Sequence, residues 1–243
     1  MRPSGPAFAA VDKSRQSAAR AVDTANSGPA KQSALSADFQ QRLDIGGKLV
    51  QIGGSATSAD SDAVAQHLAS TMSLSQMQRL RSTGIHVVVV RGSVTDDRTD
   101  LKGVQPRGLP QGATWDTSPG TLTRNNEPLV ATHAGPRGER ELPGPTQSAS
   151  VDVTLHEIGH AINRRDGGLF EWASDRSDFR RAYDQDAVKG PLAGAYYHQQ
   201  DASAGRDEAF AESHAEFLTD PNAMKAQFPN LFAYWQRYYG GGK

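Results

Sequence analysis

His156 and His160 stand four residues apart in an apolar frame, with Val151, Val153 and Leu155 before them, Ile158 between them and Ile162 beyond. On a helix, residues four apart project from one face, one turn above the other. The apolar frame requires that helix to be largely buried, so the segment is expected to run as a core helix until Asp166-Gly167-Gly168 stops it. Two imidazoles in this arrangement can both reach one tetrahedral zinc ion at about 2.0–2.1 Å. Glu157 is rotated off the pair, beside the position a water would fill, where it can take a proton from that water and later return one to a leaving amine. Gly159, without a side chain, leaves room for a strand or loop to approach the metal face.

Composition narrows the ligand set. The chain has 243 residues and no cysteine, which excludes thiolate sites and a disulfide framework. Any metal is therefore held by His, Asp or Glu. A net charge of -1 gives no general attraction to nucleic acid, and no apolar run approaches the roughly 18 residues a spanning helix needs. The apolar fraction of 37% and the mean hydropathy of -0.59 are low for one compact body of this length, so part of the chain is expected to be solvated. Residues 1–40, rich in Ala and Ser and poor in bulky apolar side chains, are that part: a disordered leader, with the folded domain spanning 41–243. The leader carries no apolar core of a Sec signal peptide.

Local patterns place the remaining elements. Lys48 to Ile52 alternates as a short strand. Ser58 to Ser82 reads as one or two helices, capped by Asp60 or Ser61, with Val64, Leu68, Met72, Leu74, Met77 and Leu80 as an apolar stripe and Gly84 at the end. Ile85 to Val90 is a β-branched run between Gly84 and Gly92 and predicts a strand. Residues 92–147 read as loops and short strands, with Leu129 to Thr132 the best strand among them. Asp207 to Leu218 is helical by pattern, and an aromatic segment follows (Phe228, Phe232, Tyr234, Trp235, Tyr238).

A catalytic zinc site takes a third protein ligand. Glu208 can supply it, with Glu212 one turn on accepting a hydrogen bond from a metal-bound histidine. The register one turn later, Glu212 as ligand with Glu216 behind it, is the alternative. Asp166 is another, reached through a turn at Asn163, although it reads more simply as part of the Asp-Gly-Gly turn. His198 and His214 are further candidates, with His214 off the ligand face and better read as a packed side chain. Tyr196 and Tyr197, upstream of the Glu208 helix, are candidate donors to the developing oxyanion.

These pieces resemble the family of the catalytic domain of anthrax lethal factor, which includes the secreted Pro-Pro endopeptidases. The matching strings are Gly112-Ala113-Thr114-Trp115-Asp116 with Pro119-Gly120, then Ser148 to Ile162, then Tyr196-Tyr197, then Glu208-Ala209-Phe210-Ala211-Glu212. The resemblance implies an α+β, zincin-like metallopeptidase domain: a twisted mixed sheet with an edge strand along the cleft, an active-site helix beneath it, and a helical C-terminal part. Ile85–Val90 is the candidate for that edge strand, against which an extended peptide could pair. The family's opening Glu of the Glu-x-Phe-Ala-Glu string falls on Glu208 as third zinc ligand. Its catalytic Tyr lies seven residues before that Glu, a position held here by Asp201; Tyr197 takes the role if the intervening loop is about four residues longer. The implied function is a zinc endopeptidase, acting as a monomer on a protein or peptide substrate. It would be an exported bacterial toxin or effector, secreted without a Sec signal peptide. A zinc hydrolase of small amides and a non-catalytic, zinc-stabilised interaction module are the alternatives.

Overall fold

A computed structural model describes residues 29–106, 112, 114–134, 140–142, 150–167, 172–188 and 202–240. The chain divides into two compact units, residues 1–40 and 41–243. Helix α1 (Pro29–Leu49) runs across the position near residue 40 where composition placed the start of the folded domain. Its Arg42 donates to the carbonyls of Ala69 and Met72 at 2.5 and 3.0 Å.

Strand β1 (Val50–Ile52) follows directly, then helices α2 (Ser58–Thr71) and α3 (Leu74–Ser82). The first of these is capped one turn earlier than expected. Thr57 is the N-cap, and Asp60 returns to its backbone N–H at 2.8 Å, closing a capping box. The break between α2 and α3 comes at Met72, where Ser73 caps the second helix by accepting from the Gln76 N–H. Gly84, at φ +72°, turns the chain into strand β2 (Val87–Arg91).

Strands β3 (Gly120–Leu122), β4 (Pro128–Ala134) and β5 (Arg140–Glu141) complete a mixed sheet of order β1-β2-β4-β3, with β5 paired to β4. β1, β2 and β4 run parallel, with Val50 opposite Val87 and Val88 opposite Leu129. β3 is antiparallel to β4, with Gly120 opposite Val130. The run Ile85–Val90 therefore does not form the edge strand. β2 lies inside the sheet between β1 and β4, and its run Val87–Val90 is apolar because both of its faces are covered. Val87 and Val89 enter the main core, while Val90, with Leu129 and Ala131, packs on the opposite face beneath Val94 and Trp115.

The main core face of the sheet carries helix α4 (Val153–Arg165). Leu155, Ile158 and Ile162 are buried there among Leu68, Met77, Leu80, Val87, Val89 and Val130. Asp152 caps α4 by accepting from the Leu155 N–H at 3.0 Å, and His67 of α2 holds its other oxygen at 2.7 Å. Helices α5 (Ser177–Tyr183), α6 (Ala202–Thr219), α7 (Pro221–Gln227) and α8 (Pro229–Gly240) form the C-terminal layer. The aromatic segment supplies its centre: Trp235 is fully buried beside Phe210 and donates to Ser213 Oγ at 2.9 Å. Among the described residues no helix is long and apolar enough to cross a membrane. The α+β architecture expected from the sequence is the one observed.

Candidate metal centre

Helices α4 and α6 build the site by packing unusually close. A Cβ at Gly159 would lie 2.7 Å from Ala211 Cα and 3.0 Å from its carbonyl oxygen. Only hydrogen fits there, so the glycine admits a neighbouring helix rather than the strand or loop expected at this position. The contact brings the Glu208–Glu212 stretch of α6 across the histidine face of α4.

His156 Nε2 and His160 Nε2 are 3.1 Å apart, and Glu208 Oε2 lies 3.4 and 3.7 Å from them. Ligand atoms about 2.05 Å from a tetrahedral ion are separated by about 3.3 Å. The three atoms thus occupy one face of a tetrahedron sized for zinc, and they are the metal-capable group found among the described residues. A set of two nitrogens and one carboxylate oxygen without thiolate suits zinc in a site with its fourth position open.

Each imidazole is held from behind. His156 Nδ1 is 2.9 Å from Glu212 Oε2, and Glu212 Oε1 accepts the Val151 N–H at 2.9 Å. His160 Nδ1 is 2.9 Å from Asp207 Oδ1. With both Nδ1 atoms facing carboxylates, each ring keeps a proton there and turns its Nε2 toward the position a cation would take. The electrostatics agree. Burial disfavours a charged His156, yet its contacts with Glu208 and Glu212 outweigh this and hold its pKa up at about 9. Burial pushes the Glu208 carboxyl up, but His160 and His156 bring it well below the usual range. A cation replaces the protons that these acids would otherwise keep on the imidazoles.

Glu157 is buried on the sheet side of α4, against β3. A Cβ at Gly120 would come within 2.7 Å of Glu157 Oε1 and 2.8 Å of its Cγ, so the glycine lets the strand backbone lie directly on the carboxylate. The segment before β3 fixes that placement. Trp115–Thr117 forms a 3-10 turn, and Asp116 accepts from the Gly103 N–H at 2.7 Å and from Thr95 Oγ at 3.2 Å. The Pro119 carbonyl then joins the Ala131 N–H at 2.9 Å, steering Gly120 into the sheet. Among the described residues β3 pairs only with β4, which makes it the sheet edge beside the site. Burial raises the Glu157 pKa, and the Glu208 and Asp207 charges act in the same direction against the two histidines.

The other candidates lie elsewhere. Asp166 caps the end of α4 and accepts from Tyr238 OH at 2.9 Å, so it closes a turn against α8. Asn163 is inside the helix, fully buried, with no left-handed backbone. Glu216 stands beyond Glu212; burial and the Glu212 charge push its carboxyl up to about 8. His214 is a packed side chain, bridging the Leu155 carbonyl at 2.7 Å and Tyr239 OH at 2.7 Å. Tyr196, Tyr197, His198 and Asp201 fall outside the described residues. The sequence reading missed Asp207. Two buried histidine ligands call for two acceptors, and the acid next to Glu208 was the available signal.

A family profile described as "Anthrax toxin lethal factor, N- and C-terminal domain" matches residues 55–238. The chain belongs to that family. Among solved structures, the Pro-Pro endopeptidase PPEP-2 from Paenibacillus alvei is similar, with 28% identity and a TM-score of 0.54 over 78% of this chain and 97% of that one. No curated protein sequence matches. The family and the structural likeness make this member a metalloendopeptidase with a zincin-like domain.

Proposed function

We propose that this family member is a zinc endopeptidase in which His156, His160 and Glu208 hold the metal. The observation that carries the reading is the 3.1, 3.4 and 3.7 Å triangle of their donor atoms, with Glu157 buried beside it. A zinc ion there would polarise a water and the scissile carbonyl. Glu157 takes the proton released by the attacking water and delivers one to the departing amine. Glu212 keeps the His156 ring oriented by accepting from Nδ1. Tyr197 donates to the oxyanion; this role rests on the family pattern. The peptide lies extended along the open edge of β3, whose backbone groups would align it beside Glu157. The Ala- and Ser-rich residues 1–40 and membership in a family named for a toxin support an exported toxin or effector acting on a foreign protein.

Incubation of the zinc-loaded protein with a peptide library, read by mass spectrometry, tests this reading. Cleavage at internal bonds, lost with a chelator and restored by zinc, is expected. Turnover of small amides with every peptide intact would instead support the small-amide hydrolase.

The contact between Gly120 and Glu157 yields a sharper expectation. Gly120→Ala pushes the carboxylate aside, and a misplacement near 1 Å costs about 10²-fold in rate. The loss should fall in kcat, with zinc affinity within about twofold of the parent because neither residue is a ligand. Steady-state kinetics beside a zinc titration checks both halves.

A further inference from the structure

Asp207 adjoins the third candidate ligand in sequence but turns its carboxylate to a different atom. Its Oδ1 receives two donors, His160 Nδ1 at 2.9 Å and Asn163 Nδ2 at 2.7 Å. Asn163 is anchored in turn: the Ser174 N–H donates to its Oδ1 at 2.6 Å, and its Nδ2 also reaches Ser174 Oγ at 3.1 Å. Asn163 and Ser174 are fully buried. On the other side, Arg164 brings its guanidinium to 3.5 Å from Asp207 Oδ2 while lying 3.8 Å over the Trp172 ring. The carboxylate is therefore held on both oxygens by residues of α4, and the 3-10 turn Ala173–Asp175 anchors Asn163 behind it.

We propose that Asp207 is a positioning residue for the metal, orienting His160 through Nδ1 as Glu212 orients His156, with Asn163 and Ser174 fixing Asp207 itself. The inference rests on zinc being held by His156, His160 and Glu208. Three consequences follow from the geometry. The Asp207 carboxylate keeps the Nδ1 proton in place, so that Nε2 stays an acceptor for the cation. Its charge makes that nitrogen a better donor to the metal. The buried amide of Asn163 prevents the carboxylate from swinging to Arg164 and leaving the imidazole. The two histidines thus draw their orientation from carboxylates on the same helix that carries Glu208, one residue before it and four after it. A rigid shift of α6 moves the ligand and both supports together.

The test is zinc affinity by competition with a chromogenic chelator, measured for the full chain, Asp207→Asn, Asn163→Ala and His160→Ala, with melting of each metal-free protein alongside. Asp207→Asn keeps the shape and removes the charge, and it should weaken zinc binding by about 10- to 100-fold. Asn163→Ala should weaken it less, in the same direction. With cobalt substituted for zinc, Asp207→Asn should also shift the visible ligand-field bands, which loss of packing alone would not do. If the parent binds zinc and His160→Ala weakens it, while Asp207→Asn binds within about twofold and keeps the cobalt spectrum, the inference fails and the zinc site stands. If His160→Ala binds zinc as the parent does, or the parent binds none, the underlying reading of the site fails instead. Should Asp207→Asn melt far below the parent, Asn163→Ala with the cobalt spectrum decides: an unchanged affinity and spectrum there overturn the proposal.

Discussion

Replacing Glu157 with Gln should lower kcat for peptide hydrolysis by about 10³- to 10⁴-fold and leave zinc bound. The amide has nearly the same shape as the carboxylate but cannot accept the proton that the attacking water must lose. Its carboxylate is the buried acid of α4 that lies against the edge strand, and it is distinct from the acids around the imidazoles. KM should stay within a few-fold, since the interaction removed is one made in the transition state. Zinc content per chain should match the parent. Full activity in Glu157→Gln would remove it from the mechanism; loss of zinc would recast it as a structural residue.

The second large effect is expected at Glu208. Its Oε2 completes the triangle with the two Nε2 atoms, so Glu208→Ala removes one of three protein ligands. Zinc affinity should fall by more than the roughly 10- to 100-fold that loss of an orienting partner costs, and peptide cleavage should vanish with it. Glu212→Gln should show only the smaller loss, because Glu212 faces Nδ1 of His156 and not the metal face. Asp166→Asn and Glu216→Gln should leave zinc affinity within about twofold. One titration series over these four variants therefore separates the three candidate ligand registers. Equal losses at Glu208 and Glu212 would mean that the metal sits between them.

The parts of the site that were legible in the sequence are those set within one helix. His156, Glu157 and His160 depend only on the helical period, and the Glu208–Glu212 spacing repeats that logic on α6. The features that were not legible depend on how elements meet. A β-branched run such as Ile85–Val90 announces a strand, but its place in the sheet follows from what covers its two faces. β2 proved interior, with the short, glycine-led β3 at the edge beside the site. Gly159 signalled a close approach without saying by what, and Ala211 of the facing helix is the answer. Asp207 escaped notice for a related reason. Its distance from His160 is fixed by the packing of α4 on α6, to which sequence spacing is blind. Asp166 had suitable chemistry and sequence distance from His160, yet the end of α4 directs it to Tyr238.

The central claim, that His156, His160 and Glu208 share one zinc ion, is tested most directly by anomalous scattering at the zinc edge from crystals of the zinc-loaded protein. The account predicts a single strong peak about 2.0–2.1 Å from both Nε2 atoms and from a Glu208 oxygen. Glu212 and Asp207 should remain on the Nδ1 atoms behind. A peak ligated by Glu212 or Asp166, or no peak between the two histidines at saturating zinc, would contradict it.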